Sequence, residues 1–199
     1  LVPRQYARNM KKKDWYDPLL LQVIPRQEEQ ISRSGFSPDP VEDLGAAAAP
    51  GILHKYYGRV LMMVSAVCAV HCRFCFRRGF AFNSIPSTNK QWDDAWKYIH
   101  DTTEISEIIL SGGDPLMLSN QYLSEFFTRI KTIPHIRKLR IHTRVPIVLP
   151  SRIDEGLLAS ICSLQHRYSV ICVVHANHPQ ELGKECINAL GALRQSGAA

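Results

Sequence analysis

The sequence predicts an α/β protein built on a parallel sheet, and three observations lead there. Short apolar runs begin near residues 59, 107, 138 and 168. Amphipathic stretches carrying helix-start signals separate them, and each apolar run ends in a cluster of polar, glycine or cysteine residues. Strands that alternate with helices pair in parallel through right-handed crossovers, in an open doubly wound sheet or in part of a β/α barrel. In either case the chemistry gathers at the carboxyl ends of the strands.

Residues 1–57 are punctuated by proline and mixed in polarity, and read as a mostly helical or irregular N-terminal extension. Within them "LGAAAAPG" (44–51) is a low-complexity hinge. Residues 58–199 form the core. It opens with the buried strand "RVLMMVS" (59–65) and a cysteine-rich loop. Thr88 and Gln91, at capping-box spacing, start a helix over "STNKQWDDAWKYIH". "EIILSGGD" (107–114) is the second strand, "SNQYLSEFFTRIKTI" (119–133) the next helix and "KLRIHTR" (138–144) the third strand. Ser151 and Asp154 are placed to make a capping box for a helix over "DEGLLASICSL". "YSVICVVHAN" (168–177) is the fourth strand, and Pro179 then opens a helix with Leu182, Cys186, Leu190 and Leu193 on one face. The last strand is left with an unpaired edge, which predicts poor solubility.

At 199 residues and 45% hydrophobic composition the chain can bury a substantial core. It has no run of eighteen apolar residues and no signal-peptide block, so it reads as soluble and cytoplasmic, without a membrane partner. In that reducing compartment its six cysteines are ligands, catalytic groups or buried apolar residues rather than disulfides. The net charge of +6 and pI of about 9.1 permit acidic partners. However, the compact basic run Lys11–Lys13 reads as a solvated face, and no ladder of aromatic and basic residues is present, which disfavours nucleic acid. The chain starts at Leu1 rather than Met and stops at "LRQSGAA", which suggests a piece of something longer.

The chemistry concentrates in "CAVHCRFCFRR" (68–78), where Cys68, Cys72 and Cys75 stand at C-x3-C-x2-C spacing. A structural zinc site wants four tetrahedral ligands, and His71 adjoins Cys72 awkwardly for a shared ion. A redox pair would leave Cys68 idle. Three thiolates on one loop suit a [4Fe-4S] cubane with one iron left open for reaction. Cys162, Cys172 and Cys186 fall at apolar positions and read as core. The competing reading of another class is a zinc-binding interaction module whose positive charge attracts RNA.

This cysteine spacing directly after the first strand resembles the radical S-adenosylmethionine enzymes, and "SGGDPL" one β-α unit later is similar to their Gly-Gly-acidic segment. The longer blocks "HKYYGRVLMMVSAVCAVHCRFCFRR", "SGGDPLM", "IPHIRKLRIHTRVPIVLPSRI" and "HANHPQE", with the early words "VPR" and "DPLL", look like the lysine 2,3-aminomutase family. The "CFRR" ending resembles the branch that makes (R)-β-lysine for elongation factor P more than the free-lysine catabolic enzymes. Enzymes acting on free lysine or on glutamate remain alternatives.

The resemblance implies a partial (β/α)6 radical-SAM barrel with about four β-α units present. It also implies an isomerase that shifts the amino group of L-lysine with the help of S-adenosyl-L-methionine, a [4Fe-4S] cluster and pyridoxal 5′-phosphate. Cys68, Cys72 and Cys75 match the cluster ligands, and Arg77 matches the arginine that pairs the substrate carboxylate. Gly112, Gly113 and Asp114 match the segment that holds the methionine amino group, with Asp114 offering its carboxylate. Lys55 and Arg59 align with pyridoxal-phosphate ligands, and His142, Arg144, His175 and Asn177 fall where cofactors sit. Arg73 and Arg78 read as basic lining, and His71 is given no role. The family's pyridoxal lysine and substrate-ammonium acids are expected beyond residue 199, so this piece is expected to be inactive alone. An electron donor protein is implied, and a homo-oligomer is left open.

Overall fold

The computed structural model describes residues 2–31, 33–80, 85–86 and 88–199. Ser87, the first residue of the expected capped helix, lies outside them. After the short helix α1 (Arg4–Ala7) come β1 (Ala47–Ala49), β2 (Ile52–Tyr56), β3 (Arg59–Ser65), α2 (Asp93–Asp101), β4 (Glu107–Gly112) and α3 (Asn120–Lys131). They are followed by β5 (Lys138–Thr143), α4 (Val145–Val148), α5 (Glu155–Cys162), β6 (Ser169–Val174) and α6 (Lys184–Gln195). The six strands form one sheet in sequence order. The pairs β3-β4, β4-β5 and β5-β6 are parallel, as the alternating apolar runs predict.

The extension departs from its expected irregularity at one place. Ala47–Ala49 and Ile52–Tyr56 are strands paired antiparallel with each other, and Ile52–Tyr56 pairs antiparallel with β3. The hinge reading of "LGAAAAPG" is therefore corrected. A run of small residues carries no period that would reveal a strand, and here β2, itself paired to β3, supplies the partner.

The periodicity of each strand decides which side it buries. In β5, Leu139, Ile141 and Thr143 are buried while Arg140 and His142 lie on the opposite, half-covered face. The buried side joins Ile108 and Leu110 of β4 to a core that includes Trp92, Leu123, Phe127, Leu157 and Ile161 from the helical layer. Burying aliphatic and aromatic side chains of this size contributes about 1.5–3 kcal/mol each, so this layer holds the parallel strands in register.

Helix starts follow local chemistry, with two corrections. Thr88 and Gln91 do form a capping box, leading through a 3-10 turn into α2. Asp154, however, is itself the cap of α5, accepting from the Leu157 amide at 2.8 Å, while the Ser151 hydroxyl donates to Gln5 Oε1. Pro179 opens only a 3-10 turn, and α6 begins after Gly183 with Cys186, Ala189 and Leu193 buried while Leu182 is exposed. Cys162 is also exposed, contrary to its core reading, because Leu157 and Ile161 occupy the buried face of α5.

The outer edge of β6 is not fully open. The Ala199 amide donates to the Val170 carbonyl at 3.0 Å and the Cys172 amide to the Ala199 carbonyl at 2.9 Å. Those two bonds are the repeat of a parallel ladder, and they set Ala199 opposite Ile171. Among the described residues no helix is long and apolar enough to cross a membrane.

Asp154→Ala should lower stability by about 1 kcal/mol through loss of its cap, and Ser151→Ala by clearly less, in urea titrations followed by circular dichroism.

Candidate active site

The polar clusters that end β3, β4, β5 and β6 converge, because parallel strands present their carboxyl ends on one side of the sheet. They enclose a cavity of about 620 Å³ whose lining includes Cys68, Cys72, Cys75, Arg77, Ser111, Gly112, Gly113, Asp114, His142, Arg144 and His175. The sequence-predicted residues Asn177, Lys55 and Arg59 are not in that lining. Arg59 starts β3 and pairs with Glu107, so roughly 20 Å of strand separates it from the cysteine loop.

Close packing at the end of β4 shapes the loop. Gly112 has φ +115°, and a Cβ there would lie 2.5 Å from the Ser65 carbonyl oxygen; one at Gly113 would lie 2.6 Å from that of Val67. Through this gap the Gly113 amide donates to Ser65 O and the Asp114 amide to Val67 O. The close approach that these glycines permit is thus to the root of the cysteine loop. Asp114 works inward as well. Oδ1 accepts from the Leu116 amide and the Thr143 hydroxyl, and Oδ2 from the Arg144 amide at 2.7 Å. Its carboxylate joins the ends of β4 and β5, and burial, outweighing those bonds, raises its pKa.

Arg77 is held from two sides. Its Nε donates to Asp43 Oδ2 at 3.1 Å and its Nη1 to Ser111 Oγ at 3.2 Å, with the guanidinium 4.5 Å from the centre of the Phe76 ring. His142 has a buried Nε2 without a hydrogen-bond partner, and its pKa is lowered by burial and by the Arg140 and Arg77 charges. His175 stacks edge-on against Phe74. Arg73 and Arg78 both pair with Glu29, which fastens the loop to the extension rather than lining the cavity.

Arg144 reaches in the other direction. Its Nη1 donates to Cys72 Sγ at 2.8 Å, and its Nη2 donates to Glu181 Oε1 and Gln22 Oε1, both at 2.5 Å, and to the Tyr6 hydroxyl. Asn177 joins the same network, its Nδ2 donating to Gln22 and its amide to Glu181 Oε2. Burial alone would raise the Glu181 pKa, but the Asn177 amide, the Tyr6 hydroxyl and the Arg144 charge outweigh it and leave it below the usual range. Tyr6, Gln22, Asp43 and Glu181 are thus site residues that sequence reasoning missed. Only Glu181 had a local signal, three residues after His178 and two after Pro179, where it completes a capping box.

The donor set fits an iron-sulfur cluster. Three cysteines come from one loop, and among the described residues no group of three or more His, Cys, Asp or Glu could hold a single ion. A cubane spreads its thiolates over separate irons and needs no such convergence. The orphaned polar atoms His142 Nε2 and Arg144 Nε belong to cavity-lining residues and suit a polar ligand such as S-adenosylmethionine. Among the described residues no lysine lines the cavity, so these residues supply no imine-forming anchor for pyridoxal phosphate.

Comparison with known proteins agrees with the geometry. Residues 57–143 match the family of 4Fe-4S single cluster domains. The chain is 41% identical over 196 residues to the L-lysine 2,3-aminomutase of Escherichia coli K12, covering 98% of this chain and 56% of that protein. By sequence the chain is similar to L-lysine 2,3-aminomutases. The enzyme of Haemophilus influenzae matches at 41% over 194 residues, 96% of this chain and 56% of its own length. That of Clostridium subterminale matches at 33% over 193 residues, 96% of this chain and 46% of its own length. The chain therefore spans about half the length of these aminomutases.

Burial, with the Asp114 charge and the neighbouring thiols, pushes the Cys68 pKa up to about 12 from an ordinary 9.0. The unfolded thiol ionises first, so protein kept free of iron should lose stability as pH rises from about 9 towards 12. Cys172, pushed up to about 11 by burial, adds to the slope, and Cys68→Ala should flatten it in urea midpoints measured across that range.

Proposed function

We propose that the chain is the cluster-bearing part of a radical S-adenosylmethionine isomerase that converts L-lysine to (R)-β-lysine, serving elongation factor P. The observation that carries the reading is the convergence of Cys68, Cys72 and Cys75 with the end of β4, His142 and Arg144 on one cavity at the carboxyl ends of a parallel sheet. Similarity to L-lysine 2,3-aminomutases over nearly the whole chain supports it, and the "CFRR" ending is the ground for the elongation factor P branch. The parallel pairing of Ala199 onto β6 supports a partial barrel, because it extends the run of parallel strands β3 to β6.

Bound together, the cluster and S-adenosylmethionine supply a 5′-deoxyadenosyl radical, chemistry beyond the reach of any side chain. The protein's part is to hold and orient. Cys68, Cys72 and Cys75 are the residues that would hold the cluster through their thiolates. Asp114 fixes the spacing between the ends of β4 and β5, so the walls of the cavity stay in place. Arg77, anchored at Nε and Nη1, keeps further donors for a substrate carboxylate, a planar fork suited to two-point recognition. His142, kept neutral by burial and the two arginine charges, offers a ring nitrogen for a hydrogen bond without adding charge. Phe74, Val148, Val173 and Val174 line the cavity with apolar surface that limits water around a reactive species. The aminomutase reading also implies pyridoxal phosphate, whose lysine would be a residue other than those lining this cavity.

Anaerobic reconstitution with iron and sulfide tests the reading. The wild type should turn brown with about four irons per chain, while Cys68→Ala, Cys72→Ala and Cys75→Ala stay nearly colourless and Cys162→Ala does not. With dithionite, the brown protein should cleave S-adenosylmethionine to 5′-deoxyadenosine. A colourless zinc protein would overturn the proposal.

A further inference from the structure

We propose that Arg144 is a positioning residue that tunes the reduction potential of the cluster through Cys72, with Glu181 setting how much of its charge the cluster feels. The inference rests on the cluster reading above and concerns one contact that the reading does not use. Arg144 is 8% exposed, and its guanidinium has two distinct edges. Nη1 donates to the Cys72 sulfur at 2.8 Å, while Nη2 is bound to Glu181, itself fully buried, and to Gln22. The guanidinium carbon lies 5.3 Å from the centre of the Phe74 ring, so the loop residue between Cys72 and Cys75 also holds it in place. The backbone of Arg144 is fixed by its amide on Asp114. The side chain has little freedom to leave the sulfur.

A one-electron reduction by an external low-potential donor adds one negative charge to a cluster already carrying three thiolates. A hydrogen bond to a ligand sulfur and a fixed positive charge beside it both stabilise the more negative state, and hydrogen bonds to the sulfurs are a known means of setting cluster potentials. The carboxylate on the opposite edge works against this. It draws on the same guanidinium and partly cancels its charge, so the pair forms a graded device rather than a simple cation.

The two charges therefore predict shifts of opposite sign, which a merely structural role would not produce. In the protein reconstituted anaerobically and titrated under electron paramagnetic resonance, Arg144→Gln should move the midpoint to more negative values. Glu181→Gln, which keeps the hydrogen bond to Cys72 and removes the compensating carboxylate, should move it to more positive values. Arg144→Lys should fall between the wild type and Arg144→Gln, and Arg129→Gln, an exposed arginine of α3 paired with Asp93, should leave it unchanged. If Arg144→Gln fails to fold, Glu181→Gln and Arg144→Lys decide the matter. Unchanged midpoints with intact clusters, or shifts of the same sign in the Arg144 and Glu181 variants, overturn the inference alone. A wild type that takes up no cluster overturns the cluster reading and this inference with it.

Discussion

A guanidinium that has almost no contact with water needs its charge answered on every side, and Arg144 organises the carboxyl edge of this sheet on that basis. Removing either partner of a buried ion pair costs about 3–5 kcal/mol, because the survivor is left charged in a poor solvent. Arg144 recruits Glu181 from the turn before α6, Gln22 and Tyr6 from the N-terminal segment, and Cys72 from the loop after β3. Three pieces of chain far apart in sequence are thereby bound to the end of β5. The same residue's amide ties it to Asp114 at the end of β4, so the two charged groups that shape the cavity are joined through a single backbone bond.

The cysteine loop is held from below as well as from the side. Gly112 and Gly113 let its root press on the end of β4 at distances that any side chain would forbid. Arg73 and Arg78 fasten it to Glu29, and the Arg73 amide donates to the Gln22 carbonyl. A loop that must present three thiolates to one cluster gains from this restraint, since ligands held near their final geometry lose less freedom on binding. Arg77 pairs with Asp43 in the same manner, and the N-terminal segment thus braces both arginines that border the cavity.

Much of the fold and of the site was legible in the residues. The parallel strands begin where their apolar runs begin, since each strand must bury its helix-facing side. The cysteines, the Gly-Gly-Asp segment, His142 and His175 reach one cavity because parallel strands place their ends together. What escaped the reading has physical reasons too. Ala47–Ala49 has no side-chain pattern and becomes a strand only because β2 offers it hydrogen bonds. Cys162 looks apolar in its helix, yet the buried face was already filled.

The sequence by itself determined the β-α alternation, the position of each parallel strand and the three-thiolate loop, because periodicity and ligand spacing are local properties of the chain. Only the tertiary structure decided that Asp114 spends its carboxylate joining two strands and that Arg144 faces Cys72 and Glu181. It also decided that Tyr6, Gln22 and Asp43 border the site. Each of those depends on which groups share a buried volume, and a hydrogen bond across 138 residues between Tyr6 and Arg144 leaves no trace in the spacing of either.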